Sequence, residues 1–197
     1  MGSRKKMKIL DVGGKDGSRC QKHYPEDEIT VLDIIYGWDV MENGLPEGDW
    51  DIIFSNHSIE HFPDPDFFLE ECKRIMNQHT ILELGTPNLA AWFNRILFLF
   101  GYVPHCVELS KKFNVGKPFN WGNEPMGGHI YVYTVPALKD LLKKHGFSVT
   151  STTGESSTYP CNIIIRLIDK LATWISPNLA SAVRLKCILK EPHGCHV

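Results

Sequence analysis

The feature that most constrains the fold is a short apolar run that ends in a cluster of glycines. Four of the six residues from Met7 to Val12 are apolar, and Gly13, Gly14 and Gly17 lie in the segment that follows. Such a run is typical of a buried strand, while the glycines allow a tight turn that brings backbone amides close to a ligand. The N-terminus of a helix after the turn favours an anion. This pattern predicts a strand–turn–helix unit, although the turn alone is equally consistent with a purely structural role.

Strands and helices are predicted to alternate along the rest of the chain. Further strands are predicted over 29–35, 38–41, 50–54, 80–84, 147–152 and 183–189, and helices over 18–24, 64–76, 89–100, 134–145 and 163–175. The segment 102–128 is rich in Gly, Pro and Asn and predicts a long irregular excursion. Alternation of this kind predicts an α/β fold, a doubly wound and mostly parallel sheet, in a single domain over residues 1–197.

Composition excludes several classes of protein. Lys plus Arg number 21 against 23 Asp plus Glu. The chain therefore lacks the excess of basic residues that is typical of a nucleic-acid-binding protein. Hydrophobic residues make up 43% and charged residues 22%, as in an ordinary globular domain. Six scattered cysteines without a signal peptide favour a reducing, cytoplasmic location. The Cys and His residues near the C-terminus match the spacing of no closed zinc site, so we predict no metal.

An acidic residue after the second strand points to a nucleoside-containing cofactor. Asp33 lies 16 residues beyond Gly17, and its carboxylate can accept hydrogen bonds from both hydroxyls of a ribose. A dinucleotide turn requires the pattern G-x-G-x-x-G, from which Gly13, Gly14 and Gly17 depart. NAD and an oxidoreductase activity are therefore the poorer alternative.

Asp11 to Gly17 is similar to the D-x-G-x-G-x-G signature of class I S-adenosylmethionine-dependent methyltransferases. Trp50 to Asn56, Ser58 to Phe62 and Gly128 to Thr134 resemble, in order and spacing, landmarks of the type 11 subgroup of that family. The resemblance implies a Rossmann-like sheet with an antiparallel last strand and a lid of helices and loops. It also implies methyl transfer from S-adenosylmethionine to a small-molecule or a lipid- or glycan-linked acceptor.

The resemblance assigns cofactor-binding roles to individual residues. Asp11, Gly13, Gly14 and Gly17 shape the cofactor turn. Asp33 holds the ribose, and Ile34 packs on the adenine. Asn56 and His57 line the methionine end. Asn43 best matches the position that binds the adenine amino group, and Asp39 is the competing candidate.

Lys15 departs from the signature, which has glycine at its position. The side chain either obstructs the close approach of the backbone to the cofactor, or pairs its ammonium with the cofactor carboxylate. Obstruction would give a weak or vestigial site. The departure also motivates an alternative function, an S-adenosylmethionine-binding protein without transferase activity. The other cofactor residues are present, which favours retained binding.

Three histidines are the candidate bases, because imidazole accepts a proton near neutrality. They are His57, His61 and His129, each in a segment expected to face the cofactor. The acid-base apparatus is expected to be small, since holding two reactants in line already removes much of the barrier to methyl transfer.

The nearly all-apolar helix predicted over Leu89 to Phe100 has two interpretations. The first and favoured one is a core helix covered by 102–128 and by 163–175. In the second, the segments 89–128 and 158–180 form a lid over an acceptor with an apolar portion. Such an acceptor would be presented by a membrane surface, which the protein would contact peripherally.

Overall fold

A six-stranded sheet organises the chain in the computed structural model, which describes residues 4–118, 127–156 and 162–190. The strands are β1 Lys8–Val12, β2 Glu28–Leu32, β3 Ile52–Asn56, β4 Ile81–Pro87, β5 Phe147–Glu155 and β6 Ala182–Leu189. Their order across the sheet is β2-β1-β3-β4-β6-β5. The pairs among β1 to β4 are parallel, whereas β6 runs antiparallel to both β4 and β5. The predicted mixed, mostly parallel sheet with an antiparallel last strand is confirmed.

Six α-helices accompany the sheet: α1 Ser18–His23, α2 Val40–Asn43, α3 Pro65–Ile75, α4 Trp92–Leu99, α5 Val135–Lys144 and α6 Ile163–Ile175. Side-chain caps fix the first residues of α3 and α5. Asp64 Oδ1 accepts a hydrogen bond from Phe67 N at 2.9 Å, and Thr134 Oγ1 accepts one from Ala137 N at 3.2 Å. These bonds satisfy amides that the first turn of a helix leaves free.

Side chains of the central strands alternate between the two faces of the sheet, and each face has its own core. Leu10 and Ile53 belong to the larger core, which α3 and α5 cover with Phe68, Leu69, Leu138 and Leu142. Ile9 and Phe54 point the other way and pack with Cys20 of α1 in a small cluster. Each fully buried large side chain contributes roughly 1.5–3 kcal/mol, so the larger core supplies most of the stability. Because β1 to β4 are parallel, their carboxyl ends lie together at one end of the sheet.

The region after β2 differs from its prediction. The strand predicted over 29–35 ends at Leu32, because the Asp33 carboxylate accepts Ile35 N and starts a 3-10 turn over Ile34–Tyr36. The strand predicted over 38–41 is wrong: the short helix α2 lies there instead. Asp39 Oδ1 accepts a hydrogen bond from Met41 N and caps this helix.

A long excursion leaves the sheet after β4 and returns before α5. Its ends meet at an isolated parallel bridge between Asn88 and Tyr133, where Leu89 N donates to Tyr133 O at 2.8 Å. Between them, α4 begins at Trp92, three residues later than predicted, and the described residues after it form no regular element. The predicted lid segments 89–128 and 158–180 lie partly outside the described residues, over 119–126 and 158–161.

The interpretation of α4 as a covered core helix is wrong. Of its residues, only Asn94 and Leu97 are buried, whereas Phe98 and Leu99 are 72% and 80% exposed. Phe100 at its end is 71% exposed. Neither the described part of 102–128 nor α6 covers this face of the helix.

Candidate active site

The glycine turn after β1 is tightly packed against the segment that follows β3. Gly13 and Gly17 have left-handed backbone, with φ of +73° and +74°. A Cβ atom on Gly13 would lie 2.4 Å from Ser58 Oγ, and one on Gly14 would lie 2.1 Å from Asp11 Oδ2. Ser58 Oγ in turn donates to Val12 O at 3.1 Å. The turn therefore requires glycine at these positions for steric reasons.

Asp11, the last residue but one of β1, carries a fully buried carboxyl group. Neither of its side-chain oxygens accepts a hydrogen bond from the described residues. Burial, reinforced by the neighbouring Asp33 carboxylate, raises the pKa of Asp11 from 3.8 to about 7. The group is thus poised between its neutral and charged forms near neutrality.

Asp33 ties the turn after β1 to the end of β2. Its Oδ2 accepts a hydrogen bond from Lys15 N at 2.8 Å, and its Oδ1 accepts one from Ile35 N at 3.0 Å. Each carboxylate oxygen has two lone pairs, so each retains capacity for a further donor. A buried carboxylate with one free lone pair on each oxygen suits a vicinal diol.

Lys15 holds a backbone conformation that usually requires glycine. Its φ is +53°, in the left-handed region, and its side chain is exposed. The amide that glycine would otherwise present is bound to Asp33. The departure from the family signature therefore preserves the turn but strains the backbone by roughly 1–2 kcal/mol.

An apolar platform follows Asp33. Ile34, Ile35 and Tyr36 are 68%, 62% and 64% exposed, which is unusual for three consecutive large apolar residues. Sequence reasoning singled out Ile34 and missed its two neighbours, because the apolar run looked like a continuing strand. Their exposure beside the ribose-binding candidate suits the flat face of a purine.

The two candidates for binding the adenine amino group lie at opposite ends of the short helix α2. Asp39 caps α2 through Met41 N, and Asn43 Oδ1 accepts a hydrogen bond from Asp39 N at 3.1 Å. The structure therefore gives both side chains a local role, and their contact with a cofactor stays a prediction.

Asn56 and His57 lie where β3 ends, beside the glycine turn. Asn56 is buried and packs so closely on β4 that a Cβ on Gly85 would lie 1.9 Å from its Oδ1. His57 has a left-handed φ of +60°, and its amide donates to Gly85 O at 2.8 Å. This backbone directs the ring toward Glu60, whose Oε1 lies 3.4 Å from His57 Nδ1.

Glu60 is the centre around which the three predicted histidines gather. It lies in a 3-10 turn over Ile59–His61, and its side chain is buried. Its backbone carbonyl accepts hydrogen bonds from Ile130 N and Tyr131 N, which brings His129 beside His61. The two imidazole rings lie 4.9 Å apart between centroids. Burial alone would raise the pKa of Glu60, but His57 and the Thr86 hydroxyl outweigh it and hold that pKa below its ordinary value.

Comparison with known proteins identifies the family of this chain. The family model described as a methyltransferase domain matches residues 2–152, about three quarters of the chain. The chain belongs to this methyltransferase family. A search of curated proteins finds no match.

Solved structures of two S-adenosylmethionine-dependent methyltransferases and of one cyclase are similar in fold. An S-adenosylmethionine-dependent methyltransferase from Mesorhizobium loti aligns with a TM-score of 0.60 at 12% identity, covering 95% of this chain and 93% of that one. One from Archaeoglobus fulgidus gives 0.54 at 17% identity, covering 93% and 86%. The [4+2]-cyclase SpnF gives 0.54 at 16% identity, covering 94% and 76%.

The protein is thus a class I methyltransferase with S-adenosylmethionine as its cofactor, as the resemblance in its sequence implied. This outcome favours S-adenosylmethionine over NAD as the cofactor and methyl transfer as the activity. The residues present fit the cofactor: Asp33 offers two acceptor oxygens, and Ile34 to Tyr36 form an exposed apolar platform beside it.

Proposed function

We propose that this methyltransferase acts on an acceptor with an apolar portion, which it meets at the surface of a membrane. The observation that carries the proposal is the exposed apolar surface of α4 and α6. In α6, the large exposed apolar residues are Ile163, Ile164, Ile165, Leu167, Ile168, Leu171, Trp174 and Ile175. Only Asp169 and Ala172 of this helix are buried. An apolar surface of this extent marks a site that meets a membrane or another apolar partner.

A partly buried polar contact joins the two helices. Trp92 Nε1 at the start of α4 donates to Asp169 Oδ1 in α6 at 2.9 Å, and Ser181 Oγ donates to the same oxygen at 2.6 Å. We propose that the exposed residues of α4 and α6 act together on this basis.

A groove runs along α4 at the carboxyl end of β4. Its volume is about 440 Å³, and its lining is mostly apolar, with Leu89, Phe98, Leu99 and Pro104 among its residues. Sites for small ligands span roughly 300–1,000 Å³, so the groove has room for an isoprenoid or acyl segment. We propose that 89–128 and 158–180 act as the lid over such an acceptor.

Charge on the same surface favours a lipid headgroup. Arg166 and Lys170 are exposed on α6, and Arg95 is exposed on α4. Amphipathic helices that lie in the membrane interface combine an apolar face with basic residues of this kind. None of the helices in the described part of the chain is long and apolar enough to cross a bilayer, so the contact we propose is peripheral.

The proposed roles at the cofactor end follow the geometry. Asp33 would accept the ribose hydroxyls, Ile34 would pack on the adenine, and Asn56 and His57 would line the methionine end. When bound, S-adenosylmethionine supplies an electrophilic methyl group on its sulfonium. Among the three candidate bases, His57 has the strongest support, because Glu60 Oε1 faces its Nδ1 and leaves Nε2 free to accept a proton from the acceptor.

Flotation with liposomes tests the membrane contact. The full chain is mixed with vesicles of neutral lipid or with vesicles containing anionic lipid, with and without S-adenosylhomocysteine. We expect the protein to float with anionic vesicles and to stay at the bottom after Leu171→Glu combined with Trp174→Glu. Phe67→Glu, which places one such charge on a partly exposed apolar residue of α3, should float like the parent.

Absence of flotation under every condition would refute the membrane contact, as would flotation that the α6 variant leaves unchanged. Size-exclusion chromatography of the same proteins detects the other use of an apolar surface. A dimer that the α6 variant converts to monomer would assign the surface to a second copy of the chain and would also refute the proposal.

A further inference from the structure

Glu60, His61 and His129 form a cluster whose donor atoms match those of a metal centre. One carboxylate oxygen and one nitrogen from each ring lie within 4.8 Å of one another. Separation along the chain hides this cluster in the sequence, since His129 follows Glu60 by 69 residues. The hydrogen bonds from Ile130 and Tyr131 to the Glu60 carbonyl create it.

Each histidine has a backbone carbonyl oxygen near its Nδ1. His129 Nδ1 lies 2.9 Å from the Cys106 carbonyl oxygen, and His61 Nδ1 lies 3.3 Å from that of Gly128. A carbonyl oxygen only accepts, so the shorter contact favours a proton on His129 Nδ1 and a free lone pair on its Nε2, whereas the His61 contact is longer than a good hydrogen bond. Histidines that ligate metals are oriented by a bond of the His129 kind from the other ring nitrogen.

Glu60 supplies a second, independent observation. Its side chain is 1% exposed, and Oε1 accepts no hydrogen bond among the described residues, while Oε2 accepts one from Thr86 Oγ1 at 3.0 Å. The contact of Oε1 with His57 Nδ1, at 3.4 Å, is an ion pair when His57 is protonated, but it is longer than a good hydrogen bond and leaves Oε1 with lone pairs for a cation. A buried carboxylate oxygen without a donor is costly unless a cation or a donor joins it.

We propose that Glu60, His61 and His129 bind one divalent ion of the first transition series. Two imidazole nitrogens and one carboxylate oxygen are ligands that suit zinc and iron, with further coordination positions left open. Ligand atoms around a tetrahedral zinc ion lie roughly 3.4 Å apart, so the three side chains close slightly on the ion. If the proposed function holds, an open position beside the methionine end is where an acceptor oxygen would be polarised.

Metal titration of the full chain, prepared without an affinity tag and stripped with a chelator, tests the site. We expect one Zn²⁺ per chain by calorimetry, and visible d–d absorption when Co²⁺ replaces it. His61→Ala, His129→Ala and Glu60→Gln should each weaken binding at least about 100-fold, the upper end of what even supporting residues contribute. Thermal unfolding of each variant separates loss of the site from loss of the fold.

Two controls assign the ion to this cluster. His79→Ala removes an exposed histidine elsewhere and should leave affinity unchanged. His193→Ala combined with Cys195→Ser removes soft ligands near the C-terminus and should also change nothing. Absence of binding in the parent, or binding that only the C-terminal variant abolishes, would overturn the proposal. Titration with S-adenosylhomocysteine and flotation of the metal-free protein report separately on the proposed function.

Discussion

The buried carboxyl group of Asp11 makes the stability of this fold depend on pH. Its pKa is 3.8 in an unstructured chain and about 7 in the folded protein, chiefly because of burial. Between these values the folded protein holds a proton that the unfolded chain has released, so the free energy of unfolding falls as the pH rises through this window. One pKa unit corresponds to about 1.4 kcal/mol, and a shift of roughly three units therefore amounts to about 4 kcal/mol at most.

Asp11→Asn isolates this contribution, because the amide matches the protonated carboxyl group in size and stays neutral. Urea unfolding should give similar stabilities for parent and variant at about pH 4, and a variant more stable by up to about 4 kcal/mol at about pH 8. Asp140→Asn, on the exposed side of α5, serves as the control and should follow the parent at both values. A stability difference between Asp11→Asn and the parent that does not change with pH would refute the reasoning.

Two further predictions concern the cofactor. Asp33→Ala removes an acceptor of charged hydrogen bonds worth roughly 1.5–3 kcal/mol each, so calorimetry should show at least a tenfold loss of affinity for S-adenosylhomocysteine, and Asp39→Ala a smaller one. Unchanged affinity in the Asp33 variant would place the ribose elsewhere. Lys15→Gly should relieve the strain of the left-handed backbone and raise the free energy of unfolding in urea by about 1 kcal/mol. It should leave the affinity for S-adenosylhomocysteine nearly unchanged. Lys15→Glu should weaken this affinity, because the new carboxylate repels that of the cofactor. Equal affinity in the parent and both Lys15 variants would mean that the Lys15 side chain points into solvent.

Local signals were sufficient for much of the fold. The buried runs of β1, β3 and β4, and the caps at Asp64 and Thr134, act over a few residues and can be read directly from the sequence. The region after Asp33 could not, because two short-range carboxylate caps compete there with apolar residues that equally suit a strand. The exposure of α4 could not either, since composition alone does not say what packs on a helix.

Part of the candidate site, too, could be predicted from the sequence, and part could not. The glycine turn and Asp33 follow from spacing within the first 33 residues. His57 and His61 are close to Glu60 in the sequence, but the approach of His129 depends on backbone bonds between distant segments, which the sequence does not reveal. The chemistry of imidazole pointed to the histidines one by one, but not to Glu60 as their common neighbour.

The bridge between Asn88 and Tyr133 makes the residues between them an exchangeable cassette. Both ends leave the sheet at one place, and lengthening a closed loop twofold costs only about 0.6 kcal/mol. Segments of different length or chemistry can therefore be grafted between these two positions, while the strands and the glycine turn remain as they are. Chimaeras that exchange this cassette among members of the family would test whether it carries the choice of acceptor, and a version that keeps residues 129–131 would retain the contacts with Glu60.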